Sequence, residues 1–153
     1  MIVYRICAER FSSQLMASGR PNRWNEANQW VLYTSMSRSL AVLELLAHRN
    51  MEIPKERYRC MVIELPDEYF SVEIVPSNIA LKNNFENYLQ HQKLGSAWYQ
   101  SSKSLCLQVP SILVPKEHNM VIHTMHPNFS VLRILDVEEF ELDERLEVRI
   151  GKR

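Results

Sequence analysis

Glycine is scarce in this sequence. Only Gly19, Gly95 and Gly151 occur among 153 residues, and they lie far apart. A P-loop and a dinucleotide-binding Gly-x-Gly-x-x-Gly turn both need clustered glycines, because the backbone must approach the phosphates closely there. The sequence therefore excludes P-loop nucleotide hydrolases and standard Rossmann dehydrogenases.

Cysteine is equally sparse. Cys7, Cys60 and Cys106 are odd in number, distant from one another and surrounded by apolar neighbours. This pattern predicts reduced, buried thiols in a cytoplasmic protein, and it argues against a disulfide framework or a thiolate zinc site.

Net charge and long apolar runs are also lacking. Eighteen basic residues balance eighteen acidic ones, so no global field favours nucleic acid or a membrane surface as a partner. No apolar run approaches the roughly 20 residues that span a bilayer. We expect no signal peptide, since residues 1–10 carry three charges and no long apolar stretch. The length and a hydrophobic content of 46% predict one globular domain over residues 1–153.

Hydrophobic patterning predicts an α+β fold around a mostly antiparallel sheet. A helix over 38–49, with Ser37 as N-cap, is the clearest element. Residues 85–101 read as two short helices broken near Gly95, and residues 11–24 as a loop. The predicted strands are 2–7, 30–35, 59–65, 105–109, 112–114 and 130–142, with a strand or turn at 70–75.

The predicted helix carries one narrow polar stripe on an otherwise apolar surface. Ser37, Ala41, Glu44 and His48 are three or four residues apart and share a face. If that face lines a cleft, Glu44 is a partly desolvated carboxylate suited to general base catalysis or cation stabilisation. The alternative is an exposed Glu44–His48 pair of little energetic consequence.

Arginines are concentrated near the N-terminus, where residues 1–25 hold four arginines and one glutamate. Arg23 lies in a loop, where its planar fork is suited to clamp a phosphate or carboxylate. Arg5 lies inside a hydrophobic strand and needs a partner, either a protein acid or a bound ligand. Trp24 is either part of this site or simply a core anchor. The surplus of arginines over acids in residues 1–25 also fits an alternative in which these side chains form a solvated face.

Tyr33 and Ser111 are further candidates. Strand alternation places Tyr33 on one face with Val31 and Ser35, which is either core or the border of a polar cleft. Ser111 follows Pro110 at a break in the chain, but no Gly-x-Ser-x-Gly surrounds it, so a hydrolase nucleophile is unsupported and a structural hydrogen bond is the alternative.

The histidines do not favour a metal site. His123 and His126 lack the i, i+4 spacing and the companion glutamate of a zincin motif, and Pro127 follows at once. We therefore expect no bound metal.

Eight short motifs, in order along nearly the whole chain, together resemble the RES-domain toxins. The family is named for Arg, Glu and Ser, which match here as Arg23, Glu44 and Ser111. The motifs are YR at 4–5, RWN at 23–25, VLYTS at 31–35, LAVLELLAH at 40–48, VPS at 109–111, EHN at 117–119, HP at 126–127 and FxxDxRL at 140–146.

The resemblance implies a fold similar to ADP-ribosyltransferases and a toxin that cleaves the nicotinamide–ribose bond of NAD⁺ by hydrolysis or phosphorolysis. NAD⁺ would be the substrate, and no cofactor is implied. Two alternatives are a protein-directed ADP-ribosyltransferase and an inactive antitoxin-binding module. The implied partner is an Xre-type antitoxin, with a toxin homodimer inside the complex.

The resemblance also implies roles for individual residues. Glu44 would stabilise the oxocarbenium-like species, and Arg5 and Arg23 would hold the pyrophosphate. Tyr33 would pack against nicotinamide or ribose, and Ser111 and Asn119 would hydrogen-bond the bound nucleotide. The implied catalytic set is Arg23, Tyr33, Glu44 and Ser111, and the implied substrate-binding set is Arg5, Arg23, Trp24, Tyr33 and Asn119.

The sequence departs from the family pattern at two places in the segment around Arg23, residues 21–29, which we call the arginine loop. Pro21-Asn22 stand where the family usually has Gly-Gly, and Asn28-Gln29 stand where it often has a glycine. The first change bears on how closely the loop approaches a pyrophosphate.

Overall fold

The computed structural model describes residues 1–48, 56–69, 71–76, 79 and 81–146. In this part of the chain, seven strands form one sheet and two α-helices pack beside it. The elements are β1 (Ile2–Ala8), β2 (Val31–Ser35), α1 (Arg38–His48), β3 (Tyr58–Glu64), β4 (Val72–Ile74), α2 (Phe85–Ser101), β5 (Cys106–Pro110), β6 (His118–His123) and β7 (Arg133–Phe140).

The strand order is β4-β5-β6-β2-β1-β3-β7, and every neighbouring pair is antiparallel except the parallel pair β4 and β5. The prediction of an α+β fold with a mostly antiparallel sheet is confirmed. β1 pairs with β3 along its whole length, but it meets β2 only at Tyr4 and Ser35. The centre of the sheet is therefore weakly joined, and α1 contacts both strands there.

Alternation along the strands divides the core between the two faces of the sheet. In β6, Met120 and Ile122 join one buried cluster and Val121 joins the other. The second cluster also holds Trp24 from the long loop and Trp98 from α2, so it fixes both elements over that face. All three cysteines are buried free thiols, as predicted.

Of the two helix predictions, the first is confirmed and the second is wrong in one respect. α1 begins after Ser37, whose hydroxyl accepts a hydrogen bond from Leu40 N at 3.1 Å as an N-cap; its predicted last residue, Arg49, lies outside the described residues. The predicted break near Gly95 is wrong, since α2 is continuous from Phe85 to Ser101. A Cβ at Gly95 would stand 1.9 Å from Trp24 O, so the glycine admits a close contact and does not end the helix.

Two strand predictions near the C-terminal half are wrong. Residues 112–114 form a bend, because Ser111 Oγ accepts hydrogen bonds from the N–H groups of Leu113 and Val114. A turn follows, in which Glu117 N donates to Val114 O at 2.8 Å. The strand that follows this turn is β6 (His118–His123). The sequence did not predict it, because its four buried residues do not alternate with polar ones. The last strand begins at Arg133 and not at residue 130, since a 3₁₀ helix spans Pro127–Val131.

The remaining predictions hold with small shifts. β1 runs one residue beyond the predicted end, β2 starts at Val31, and a strand occupies part of 70–75, of which Phe70 lies outside the described residues. No helix among the described residues is both long and apolar enough to cross a membrane.

Candidate active site

A cleft of about 490 Å³ opens where β1 and β2 diverge, with α1 along one side and the 22–24 loop at one end. Six of the seven predicted site residues line it, although they come from five separate parts of the chain. These lining residues are Arg5, Arg23, Trp24, Tyr33, Glu44 and Asn119.

Glu44 presents a half-buried carboxylate to the cleft from the middle of α1. Its Oε1 accepts two hydrogen bonds, from Ser111 Oγ at 3.0 Å and from Asn119 Nδ2 at 2.6 Å. Asn119 Oδ1 in turn accepts from Ser35 Oγ at 2.7 Å. The carboxylate is therefore held in one orientation by partners from two strands and a turn, as expected for a preorganised electrostatic group.

Ser111 supports the carboxylate and does not act as a nucleophile here. Its side chain is buried, and its hydroxyl oxygen accepts hydrogen bonds from the N–H groups of Leu113 and Val114, both at 3.1 Å. The hydroxyl proton points to Glu44. Ser111 thus forms the structural hydrogen bond that the sequence left open as an alternative.

Arg5 reaches the cleft from β1 and carries a charge without an acidic partner. Its Nη1 donates to Met16 O at 3.1 Å, and no carboxylate within the described residues lies at salt-bridge distance. Burial lowers the pKa of Arg5, because desolvation disfavours the charged form. The guanidinium still remains charged, so it is suited to receive an anion.

Arg23 lines the cleft from the loop between β1 and β2. Its guanidinium donates to Asn83 Oδ1 at 2.5 Å, lies 3.4 Å from His91 Nδ1 and stacks over the Tyr88 ring at 5.2 Å. Burial lowers the pKa of Arg23, while the neighbouring Tyr88 and Glu44 act in the opposite direction. The arginine forms no ion pair with a described residue.

Tyr33 ties the loop to the sheet. Its hydroxyl accepts from Trp24 N at 3.0 Å and donates to Asn25 Oδ1 at 2.8 Å, while its ring lines the cleft. Burial raises the pKa of Tyr33 well above its ordinary value, so the hydroxyl stays protonated and keeps both hydrogen bonds.

The family description that matches this chain is the RES domain, over residues 2–143. The chain belongs to the RES domain family. This membership agrees with the placement of Arg23 and Glu44 in one cleft and with the hydrogen bond from Ser111 to Glu44.

Curated relatives of this RES domain carry toxin names. The Prs ADP-ribosylating toxin of Sphingobium sp. (strain YBL2) is 35% identical over 128 residues, which cover 81% of this chain and 79% of the relative. A Toxin Res of Yersinia enterocolitica is 30% identical over 160 residues, covering 95% of this chain and 99% of the relative.

A solved structure shares the fold of this RES domain. The M. tuberculosis MbcT–MbcA toxin–antitoxin complex contains a chain that matches with a TM-score of 0.71 and 15% identity. The match covers 91% of this chain and 83% of the other. At this identity, the likeness establishes the fold alone.

Asn22 and Asn28, which replace residues usual in the family pattern, have clear conformational roles in this RES domain. Asn22 Oδ1 accepts a hydrogen bond from Arg23 N at 2.8 Å. Asn28 has φ of 65°, a left-handed conformation that asparagine tolerates better than most residues, and its N–H donates to Gly19 O at 2.8 Å. These contacts hold the loop in its observed conformation.

Asn25 is a buried residue behind the site that holds Tyr33 in place, and it is not among the residues expected from the sequence. It is fully buried, and its Nδ2 donates to Arg20 O at 2.8 Å and Glu26 O at 2.9 Å while its Oδ1 accepts from Tyr33. The sequence signal that could have identified Asn25 is its place in the Arg-Trp-Asn motif at residues 23–25. Trp24 is 3% exposed and stacks on His91, as expected for a core anchor, and it also lines the cleft.

The remaining polar candidates lie as follows. His48 also lines the cleft, but it forms no ion pair with Glu44 among the described contacts. His123 Nδ1 and His126 Nδ1 accept hydrogen bonds from nearby backbone N–H groups. The described residues contain no group of three or more His, Cys, Asp or Glu arranged to hold a metal ion.

Proposed function

We propose that this RES domain is a toxin that cleaves the nicotinamide–ribose bond of NAD⁺. The observation that carries the proposal is the placement of one oriented carboxylate, Glu44, in a cleft that also holds Arg5 and Arg23. Neither arginine forms an ion pair with an acidic residue in the described part of the chain. A dinucleotide presents the matching charges, since it has a cationic pyridinium at one end and an anionic pyrophosphate in the middle.

Glu44 supplies the electrostatic part of the reaction. When the C–N bond breaks, its electron pair moves to the nicotinamide nitrogen and the ribose carbon becomes oxocarbenium-like. A carboxylate held by Ser111 and Asn119 stabilises that developing cation without reorganising. Nicotinamide leaves as a neutral molecule, so the reaction requires no strong general acid.

Arg5 and Arg23 supply the binding part. Both guanidinium groups line the cleft, and each can offer a planar pair of N–H donors to phosphate oxygens. The Tyr33 ring lines the cleft between the loop and the sheet, where it would pack against the nicotinamide or the ribose. The expected direct contact of Ser111 with the nucleotide is replaced by its contact with Glu44, because its hydroxyl is buried and its hydrogen-bonding capacity is used.

Water or phosphate is the proposed acceptor of the ADP-ribosyl group. Attack by water gives ADP-ribose and a proton, and attack by phosphate gives ADP-ribose phosphate. A protein side chain is a second candidate acceptor, which is favoured by the similarity to the Prs ADP-ribosylating toxin.

A restraining partner is part of the proposal. The relative called Toxin Res and the fold shared with a chain of a toxin–antitoxin complex support an antitoxin encoded alongside this chain. We propose that it is of the Xre type and that it covers the cleft. An inactive antitoxin-binding module is disfavoured because Arg23, Tyr33 and Glu44 all lie at the cleft.

The test is to incubate the purified protein with NAD⁺, with and without phosphate, and to identify the products by mass. We expect nicotinamide in both reactions, with ADP-ribose or ADP-ribose phosphate as the second product. Nicotinamide release with a mass increase on an added protein would favour the protein acceptor. Intact NAD⁺ with folded protein would overturn the proposal.

A further inference from the structure

One face of α2 follows the arginine loop along its whole length. Residues three and four apart on a helix share a face, and every member of this stripe contacts the segment 22–30. The stripe consists of Tyr88, His91, Gln92, Gly95, Ser96 and Tyr99.

Gln92 fixes the backbone of the turn that carries Arg23. Its Nε2 donates to Asn22 O at 3.2 Å and to Asn25 O at 2.9 Å. These two residues pair with each other across the turn, with Asn22 N donating to Asn25 O at 3.0 Å. One side chain therefore holds both ends of the turn.

The start of α2 and the residue before its N-cap fix the guanidinium of Arg23. Asn83 Oδ1 accepts from its Nη2, the ring of Tyr88 lies beneath it, and His91 Nδ1 lies beside its Nη1. None of these three partners carries a negative charge. The contacts therefore fix the direction of the arginine while they leave its charge available to an anion.

We infer that the α2 stripe is the positioning surface for Arg23, with Gln92 and Tyr88 as positioning residues for binding the pyrophosphate of the substrate. The inference rests on the proposed function only in naming that anion. Gln92 acts through the loop backbone and Tyr88 through the guanidinium, so the two can be tested independently.

The first test compares Gln92→Met with Gln90→Met. Methionine keeps the length of the side chain but has no N–H donor, and Gln90 is exposed on the same helix. We expect Gln92→Met to raise the KM for NAD⁺ and the Kd for ADP by about 10-fold, the scale of two lost hydrogen bonds, with kcat changed less than threefold. Gln90→Met should match the wild type in all three.

Tyr88→Leu is the second variant, and it keeps the inference testable if Gln92→Met does not fold. Removal of the ring should weaken ADP binding by about threefold or more, the scale of a cation–π contact. Thermal unfolding is recorded for every variant. A lower Tm with unchanged KM and ADP affinity would mean that the stripe is only structural, and it would overturn the inference.

ADP binding separates this inference from the proposed function. A wild type that binds ADP but leaves NAD⁺ intact, together with weaker ADP binding by Gln92→Met, would retain the inference and overturn the function. A wild type that consumes NAD⁺, together with a Gln92→Met variant whose KM and ADP affinity are unchanged, would retain the function and overturn the inference. A wild type that binds neither nucleotide would overturn both.

Discussion

The carboxylate of Glu44 and the side-chain amide of Asn119 lie 2.6 Å apart, although 75 residues separate them in the sequence. The same carboxylate oxygen accepts from Ser111, which is 67 residues away. α1, β6 and the end of β5 must therefore be assembled before the carboxylate has its orientation. The hydrogen bonds to Glu44, together with two cleft arginines that form no ion pair with a described residue, lead to the following predictions.

Glu44→Gln should lower the rate of NAD⁺ consumption by about 10²-fold or more, the scale of removing one preorganised electrostatic group. Glutamine keeps the size of the side chain and an oxygen that accepts from Ser111 and Asn119, so it removes mainly the charge. Glu73→Gln is the control, because Glu73 is exposed on the edge strand β4. A folded Glu44→Gln variant with a normal rate would exclude Glu44 from the chemistry.

Arg23→Lys should weaken the binding of ADP, measured by calorimetry, while the far-ultraviolet circular dichroism stays unchanged. Lysine keeps the charge but loses the planar fork and its hold on Asn83. Arg133→Lys, at an exposed position of β7, should bind as the wild type does. Equal affinity in the two variants would remove Arg23 from the binding site.

Tyr33→Phe should lower the free energy of unfolding by about 1–3 kcal/mol, the cost of leaving buried polar groups without a partner. The groups that lose their partner are Trp24 N and Asn25 Oδ1. Denaturant titration gives the measurement. Tyr4→Phe is the matched control, since Tyr4 lines the same cleft and its hydroxyl makes no hydrogen bond in the described part of the chain. If both variants are equally stable, the hydroxyl of Tyr33 does not anchor the loop.

Gly95→Ala should destabilise the protein, although alanine is favoured over glycine in helices by about 1 kcal/mol. The new Cβ would meet the Trp24 carbonyl at 1.9 Å, so the loop or the helix must shift, at a typical overpacking cost of about 1–3 kcal/mol or more. Lys93→Ala, exposed on the same helix, should leave the Tm nearly unchanged. A Gly95→Ala variant with a raised Tm would show that the contact is not tight.

The proposed antitoxin should compete with NAD⁺. An anionic group of the antitoxin, either an acidic side chain or its terminal carboxylate, is expected to lie against Arg5 or Arg23, because a cleft that attracts pyrophosphate also attracts carboxylate. Rising NAD⁺ should weaken antitoxin binding in a pull-down or calorimetric titration, and Arg23→Lys should bind it less tightly. Antitoxin affinity that responds to neither change would place the inhibition outside the cleft.

The sequence by itself predicted the first helix and the first three strands, and it indicated candidate site residues. The apolar helix α1, its Ser37 cap and the strands β1 to β3 follow from patterning, because the burial of one face imposes a period on the residues. The scarcity of glycine excluded the common nucleotide-binding loops. The motif series indicated the RES domain, and with it Arg23, Glu44 and Ser111.

The tertiary structure decided the roles of these residues and the shape of the site. The sequence predicts a helix break at Gly95, but this glycine lies inside a continuous helix and lets the Trp24 backbone approach closely. Only the tertiary structure shows this contact. The resemblance implies that Ser111 contacts the nucleotide. In the structure its hydroxyl donates to Glu44 and accepts from Leu113 N in the segment after Pro110. Both outcomes depend on partners distant in the chain, and local periodicity carries no information about such partners.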